Sequence, residues 1–181
     1  MTVEEYFQWE PQQKLRYEYD NGEVFAMTGG TIPHNDIALN LYSTLRPHLR
    51  SRGCRANVCD VKVQTNSKGL FYYPDVVVSC NPQDQNARTF IQSPTIIAEV
   101  LSSSTSAKDR SDKLINYLKI PSLQEYFLID SQKISVERYC REEGSMWLYS
   151  HYLAGDAISL SSLDLEFPIE ILYEGVKFET E

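Results

Sequence analysis

The sequence predicts an α/β (α+β) fold, a mixed β-sheet core flanked by helices, and three observations predict it. Apolar runs of strand length at 58–64, 71–78 and 95–101 follow one another with turn residues between them. Segments with apolar residues every three or four positions stand before and after those runs. The chain has 181 residues. That suits one domain over 1–181, burying roughly two-thirds of the surface its unfolded form exposes.

Each element has its own signal. Thr2-Val3-Glu4-Glu5 is a capping box, in which the Thr2 hydroxyl accepts from the Glu5 amide and the Glu5 side chain reaches back, so a short helix is expected over 3–9. Asn21-Gly22 lies between the β-forming runs Tyr17-Glu18-Tyr19-Asp20 and Glu23-Val24-Phe25-Ala26-Met27, a strong hairpin signal that puts Glu18 on the first strand. Ile37, Ala38, Leu41, Tyr42, Leu45 and Leu49 keep a helical period over 34–49, and Pro47 is expected to kink or end that helix early. The three strand runs follow, with Gly53 and Lys68-Gly69 at turns. Ser102 to Ser106 offers helix caps, and 109–119 places Leu114, Tyr117 and Leu118 on one face before Pro121 stops it. A strand at 126–129, a hairpin of 134–139 with 146–152, and a last strand within 166–173 complete the order.

Bulk properties narrow the function classes. A net charge of −8 opposes non-specific attraction to phosphate backbones and anionic membranes, without deciding what a local cleft attracts. Cys54, Cys59, Cys80 and Cys140 contain no CxxC pair, and a helix signature stands where a secretory signal would carry its apolar region, so a reducing cytoplasm is expected. The apolar runs are too short to span a bilayer, and His34, His48 and His151 lack zinc-site spacing. Twelve tyrosines, with Trp9 and Trp147, fit an aromatic core or interface equally well.

The chemistry is concentrated in a few residues. Glu99 is a carboxylate inside Thr95-Ile96-Ile97-Ala98-Glu99-Val100-Leu101, and an ionised carboxylate in a buried strand is costly without a partner. Asp75 stands at the mouth of Pro74-Asp75-Val76-Val77-Val78, so two acids on adjacent strands would share a cation. Lys113, on a helix crossing back over the sheet, would bring an ammonium to the same strand end. Each residue also has a plain structural reading: Asp75 as the start of a strand bonding backbone amides, Glu99 as half of a buried ion pair, Lys113 as a solvated helix lysine.

Pro74-Asp75, Glu99-Val100-Leu101-Ser102, Asp109-Arg110-Ser111-Asp112-Lys113-Leu114 and Ile120-Pro121-Ser122-Leu123-Gln124-Glu125-Tyr126 together resemble the bacterial Uma-two family of restriction-endonuclease proteins, within the PD-(D/E)xK nuclease-like superfamily. Tyr17 to Val24 and His34-Asn35-Asp36-Ile37-Ala38 extend the resemblance to about residues 2–173. It implies a restriction-endonuclease-like fold and hydrolysis of nucleic-acid phosphodiesters with Mg²⁺ or Mn²⁺. Asp75, Glu99 and the backbone carbonyl of Val100 would be the ligands. Lys113 would orient the attacking water. Where the superfamily has a lysine two residues after the second acid, this chain has Leu101, and Lys113 resembles the lysine that some members carry on the following helix.

The resemblance further implies an additional acidic role for Glu18, through a metal-bound water, and a phosphate contact for His34. Arg46, Arg50, Arg52 and Arg55 form a basic cluster without acids that fits phosphates flanking a cleft, or simply a solvated helix end favoured by the helix dipole. The expected partner is nucleic acid, with DNA ahead of RNA, no membrane, and a homodimer among the expected assemblies. The rival expectation is a non-catalytic interaction or metal-binding protein that keeps the nuclease fold, a reading favoured by Leu101 and the net charge.

Overall fold

The computed structural model describes residues 1–27, 29–66, 69–102 and 109–178. Helix α1 (Val3–Trp9) starts at the expected capping box: the Glu5 amide donates to Thr2 Oγ1 at 3.2 Å and the Thr2 amide to the Glu5 carboxylate at 2.7 Å. Strands β1 (Tyr17–Asp20) and β2 (Glu23–Ala26) form the expected hairpin. Asn21 and Gly22 both have positive φ, 47° and 99°, as a tight turn between twisted strands requires.

Helix α2 (Ile32–Arg50) runs through Pro47, against the expectation of an early end. Pro47 sits exposed in the last turns, while Leu45 and Leu49 on the opposite side are buried. A helical proline costs about 3 kcal/mol, whereas burying two leucines returns roughly 1.5–3 kcal/mol each.

Two of the expected strands are each divided between sheets. The run 58–64 becomes β3 (Arg55–Val58) and β4 (Lys62–Asn66), because Cys59 and Asp60 turn the chain with φ of 47° and 51°. The run 71–78 becomes β5 (Leu70–Tyr72) and β6 (Val76–Ser79), broken at Pro74, which has no amide for a ladder. A short helix α3 (Pro82–Gln85), β7 (Phe90–Ile91) and β8 (Ile96–Leu101) follow.

The expected helix over 109–119 opens as a π-helical turn, Asp109–Lys113, and continues as α4 (Leu114–Leu118). The proposed caps at 103–106 lie outside the described residues. Strands β9 (Glu125–Asp130), β10 (Ser135–Arg141) and β11 (Trp147–Leu153) match expectation closely. Then come β12 (Ala157–Leu160) and β13 (Leu165–Pro168). The last expected strand ends at Pro168, and Ile169–Tyr173 is 3₁₀ helix, with Ile169, Leu172 and Tyr173 buried at helical spacing.

The strands make a five-stranded sheet, β2-β1-β5-β4-β7, a six-stranded sheet, β11-β10-β9-β8-β6-β3, and the pair β12-β13. Strands β8 and β9 are parallel, and the segment carrying α4 is the crossover such a pair needs. Alternation sorts the six-stranded sheet into two cores. Val76, Val78, Ile96, Ala98 and Val100 pack with α2 and the C-terminal segment. Val77, Ile97 and Leu101 face the other way, onto Val63, Leu70, Tyr72 and Tyr117. Leu101 is therefore core, only 4% exposed.

Cys54 and Cys80 are joined by a disulfide, beside the paired Arg55 and Ser79, which departs from the reduced thiols a cytoplasmic setting leads one to expect. No helix among the described residues is long and apolar enough to cross a membrane.

Candidate active site between the two sheets

Strand alternation decides where Glu99 points. Ala98 and Val100 belong to the α2 side, so Glu99 faces the second core with Ile97 and Leu101, and it is 3% exposed there. Glu18 comes to the same space from β1 of the other sheet, and Lys113 from the end of the π turn. The Lys113 ammonium lies 2.8 Å from Glu18 Oε1 and 3.0 Å from Glu99 Oε1. Tyr117, one turn further along α4, donates its hydroxyl to the same Glu99 oxygen at 3.1 Å. Glu18 Oε1 also accepts the Tyr73 amide at 3.3 Å. The Tyr72 ring lies under the ammonium, 5.6 Å away, with its hydroxyl between Asn116 and Asp20.

Antiparallel register sets Asp75 opposite Glu99, one step beyond the pair Val76 with Ala98. Asp75 leaves the strand pattern at that step. Its Oδ2 accepts the Val100 amide at 2.7 Å and its Oδ1 meets His34 Nε2 at 2.8 Å. His34 reaches it from the first turn of α2, which Thr31 caps. Gly30 makes room for this imidazole, since a Cβ there would stand 2.9 Å from His34 Cδ2. Asp75, His34 and the Val100 amide thus form one polar corner, and Glu18, Lys113, Glu99 and Tyr117 form another around the neighbouring strand position.

The field of these acids shows in the weak acids beside them. Burial pushes the Tyr117 hydroxyl well above the ordinary tyrosine range, and the charges of Glu99 and Glu18 push it further, so it stays a donor. Burial first, then Asp75, Asp60 and Glu99, push the Cys59 thiol up to about 11. The Cys59 amide donates to the Asp75 carbonyl at 2.9 Å, which places this residue at the rim of the Asp75 corner.

Other charged groups lie elsewhere. Lys62, a competing candidate for the counter-charge, pairs with Glu10 at 3.0 Å in a separate buried cluster, and Arg110 pairs with Glu137. Arg46, Arg50 and Arg52 are exposed at the C-terminal end of α2. His34 is in its first turn, about 18 Å from Arg46 and about 24 Å from Arg50 by helical rise. Arg55 is occupied: Nη1 donates to the carbonyls of Asp84, Gln85 and Ala87, and Nε to Asn57. The arginines are not brought to the acids.

Sequence reasoning missed Tyr117 as a polar partner, because its place on the apolar stripe with Leu114 and Leu118 concealed a buried hydroxyl. Glu18, expected to act through a metal-bound water, stands 2.8 Å from the Lys113 ammonium. The His34–Asp75 bond joins residues far apart in sequence and left no local signal.

Donor chemistry tests whether a hard divalent cation suits this place. Among the described residues, no three His, Cys, Asp or Glu side chains converge as a ready ligand set. Asp75 and Glu99 stand in two separate polar corners, and Mg²⁺ is commonly held by one or two carboxylates together with waters and substrate phosphate. A cation here would draw most of its ligands from water and substrate.

Two sheets packed on a shared core and flanked by helices form a restriction-endonuclease-like mixed α/β fold. Residues 3–171 match the Uma2 family, described as "Putative restriction endonuclease", and the chain belongs to that family. Two proteins of Synechocystis sp. are similar to it. Uncharacterized protein slr1290 is 35% identical over 178 residues, covering 98% of this chain and 94% of that one. Uncharacterized protein sll1609 is 31% identical over 159 residues, covering 87% and 90%. A crystal structure from Anabaena variabilis, described as "a putative nuclease belonging to DUF820", superposes with a TM-score of 0.76 over 98% of this chain and 99% of that one. At 18% identity that likeness establishes the fold alone.

Proposed function

We propose that this protein is a nuclease hydrolysing phosphodiester bonds of nucleic acid, DNA in the first place, with Mg²⁺ or Mn²⁺ bound. The reading is supported by membership of the family over residues 3–171 and by the buried pair of Glu99 with Lys113 at 3.0 Å, with Asp75 just before β6, the strand that pairs with β8. Asp75, Glu99 and the Val100 carbonyl would hold the cation, which when bound neutralises charge growing on the phosphate and makes its water acidic. Lys113 holds its ammonium beside Glu99, where it would donate a hydrogen bond to a water and orient it. His34 and the Val100 amide fix Asp75 through both carboxylate oxygens. Leu101 takes no part, being packed in the second core.

The test is cleavage of labelled single- and double-stranded DNA and RNA, with millimolar Mg²⁺ or Mn²⁺ and with chelator, by the parent and by Asp75→Asn, Glu99→Gln and Lys113→Met. Cleavage by the parent that needs the cation, lost by at least about 100-fold in each variant as for a removed charge-stabilising group, supports the reading. Residual cleavage equal in parent and variants would trace to a contaminant and sink it.

One observation favours a second reading, a non-catalytic protein that keeps the cluster for structure: Lys113 already pairs both Glu18 and Glu99 within the fold. Absence of cleavage, together with melting behaviour indifferent to Mn²⁺, would select it.

A further inference from the structure

Cys54 and Cys80 are joined across the edge of the six-stranded sheet, between two exposed turns, 51–53 and 82–83. Register accounts for the pairing: Arg55 of β3 stands opposite Ser79 of β6, and the two cysteines occupy the next position outward on each strand. We propose that Cys54–Cys80 is a reversible thiol–disulfide site, opened by a dithiol reductant, whose opening releases the edge strand β3 and leaves the rest of the six-stranded sheet in place. The inference is independent of the cleavage reading.

The bond is placed where a reductant can reach it. Both cysteines are half-buried, in contrast to the buried Cys140. Arg50 and Arg52, both exposed, immediately precede Cys54 in the chain, and positive charge near a sulfur favours the thiolate that departs when the bond breaks. In the exchange, one thiolate of the dithiol attacks a sulfur of the pair, the sulfur–sulfur bond breaks, and the other cysteine leaves as a thiolate and takes up a proton. The second thiol of the reductant then attacks the mixed disulfide and closes its own ring, freeing the second cysteine. Two electrons and two protons pass from the dithiol to Cys54 and Cys80.

Strand β3 is what the bond holds. Among the described residues it pairs with β6 alone, over four positions, and none of its residues is buried. Ala56 and Val58 pack against the α2 core from its margin. Strand β8, by contrast, is buried at all six positions and is paired on both sides, by β6 and β9. Segments with few buried contacts and an unpaired edge open locally at lower free energy than such a core strand. The disulfide opposes that opening at one end of β3. At the other end the Cys59 amide donates to the Asp75 carbonyl at 2.9 Å, so a loosened β3 also frees the chain entering β6.

The test uses the full chain, kept oxidised or equilibrated with dithiothreitol, with iodoacetamide labelling, peptide mapping and amide hydrogen exchange read by mass spectrometry. Dithiothreitol should make Cys54 and Cys80 alkylatable while the far-ultraviolet circular dichroism stays native. Amides of residues 55–58 should then exchange at least about tenfold faster, as expected when a cross-link no longer restrains a local opening, and those of β8 and β9 should be unchanged. Cys54→Ala with Cys80→Ala should show the reduced pattern with or without dithiothreitol; should that variant fail to fold, the reduced parent carries the comparison. A bond that yields to dithiothreitol only after the protein has been unfolded would make it a permanent staple and overturn the inference. Equal acceleration in β3, β8 and β9, or loss of the native spectrum on reduction, would show that the opening is global and overturn it too. So would full alkylation of both cysteines in protein never exposed to reductant.

Discussion

Two lysines of this protein are equally buried, with side chains 7% exposed, and yet they sit in unlike surroundings. Lys62 has one acid, Glu10, at 3.0 Å, and the other Glu10 oxygen accepts the Tyr73 hydroxyl at 2.8 Å. Three rings, Tyr6, Phe7 and Tyr73, lie 4.6, 4.8 and 5.7 Å from its ammonium and supply the rest of its surroundings. Charge there balances within the cluster. Lys113 meets two acids, Glu18 and Glu99, and the Tyr72 ring. Burial alone does not separate a structural ion pair from a working one. A response to a cation does, because buried carboxylates held close together repel one another and a cation joining them offsets that repulsion. Tyr73 links the two places: its hydroxyl serves Glu10 and its amide serves Glu18.

The largest effect is expected where charge is balanced. Lys62→Met leaves Glu10 buried without its counter-charge and should cost about 3–5 kcal/mol in urea denaturation. Adding Glu10→Gln should recover most of that loss, since a neutral amide can still accept from Tyr73. Neither variant should respond to Mn²⁺ differently from the parent. If Lys62→Met abolished the metal response, the two clusters would be one functional unit and the distinction would collapse.

Glu99→Gln should act in the opposite direction. Lys113 keeps Glu18 as a partner, and repulsion between the two acids that meet it is gone, so the metal-free variant should melt above the parent. Mn²⁺ at about 100 times its dissociation constant should then stabilise the parent by about 2.7 kcal/mol and the variant hardly at all. A variant less stable than the parent, with neither protein responding to Mn²⁺, would class Glu99 with Glu10 as structural.

Much of this was legible because local chemistry carried it. The Thr2–Glu5 capping box, the Asn21-Gly22 turn and the acids set in apolar strands are each specified by neighbours in sequence. What escaped were interruptions and long-range pairings. Cys59-Asp60 and Pro74 cut two continuous apolar runs and sent the halves to different sheets, which a period-two pattern cannot register. Pro47 was over-read, since tertiary burial of Leu45 and Leu49 outweighs a local preference. Asp75 and Glu99 were visible as residues but their partners were not: His34, Glu18 and Tyr117 each arrive from another element, and only the fold says which acid each one meets.

The smallest effect offers an electrostatic check on the separation of the two clusters, with Cys59 as the reporter. Its thiol is pushed up to about 11 by burial first, then by Asp75, Asp60 and Glu99. The folded chain therefore keeps the proton up to about pH 11, while an unfolded cysteine gives it up near pH 8.5. Between those values the unfolded state binds fewer protons, so this group's stabilising contribution is complete below about pH 8.5 and is lost as pH rises toward 11. Asp75→Asn removes one cause of the elevation, so more thiolate is present at pH 9 and iodoacetamide should label Cys59 faster. Glu10→Gln should leave the rate unchanged, because Glu10 is not among the groups acting on the thiol. Peptide mapping separates Cys59 from the buried Cys140 and from the bonded Cys54 and Cys80. Equal acceleration by Asp75→Asn and Glu10→Gln would mean that the thiol reports general loosening and not the charge of Asp75.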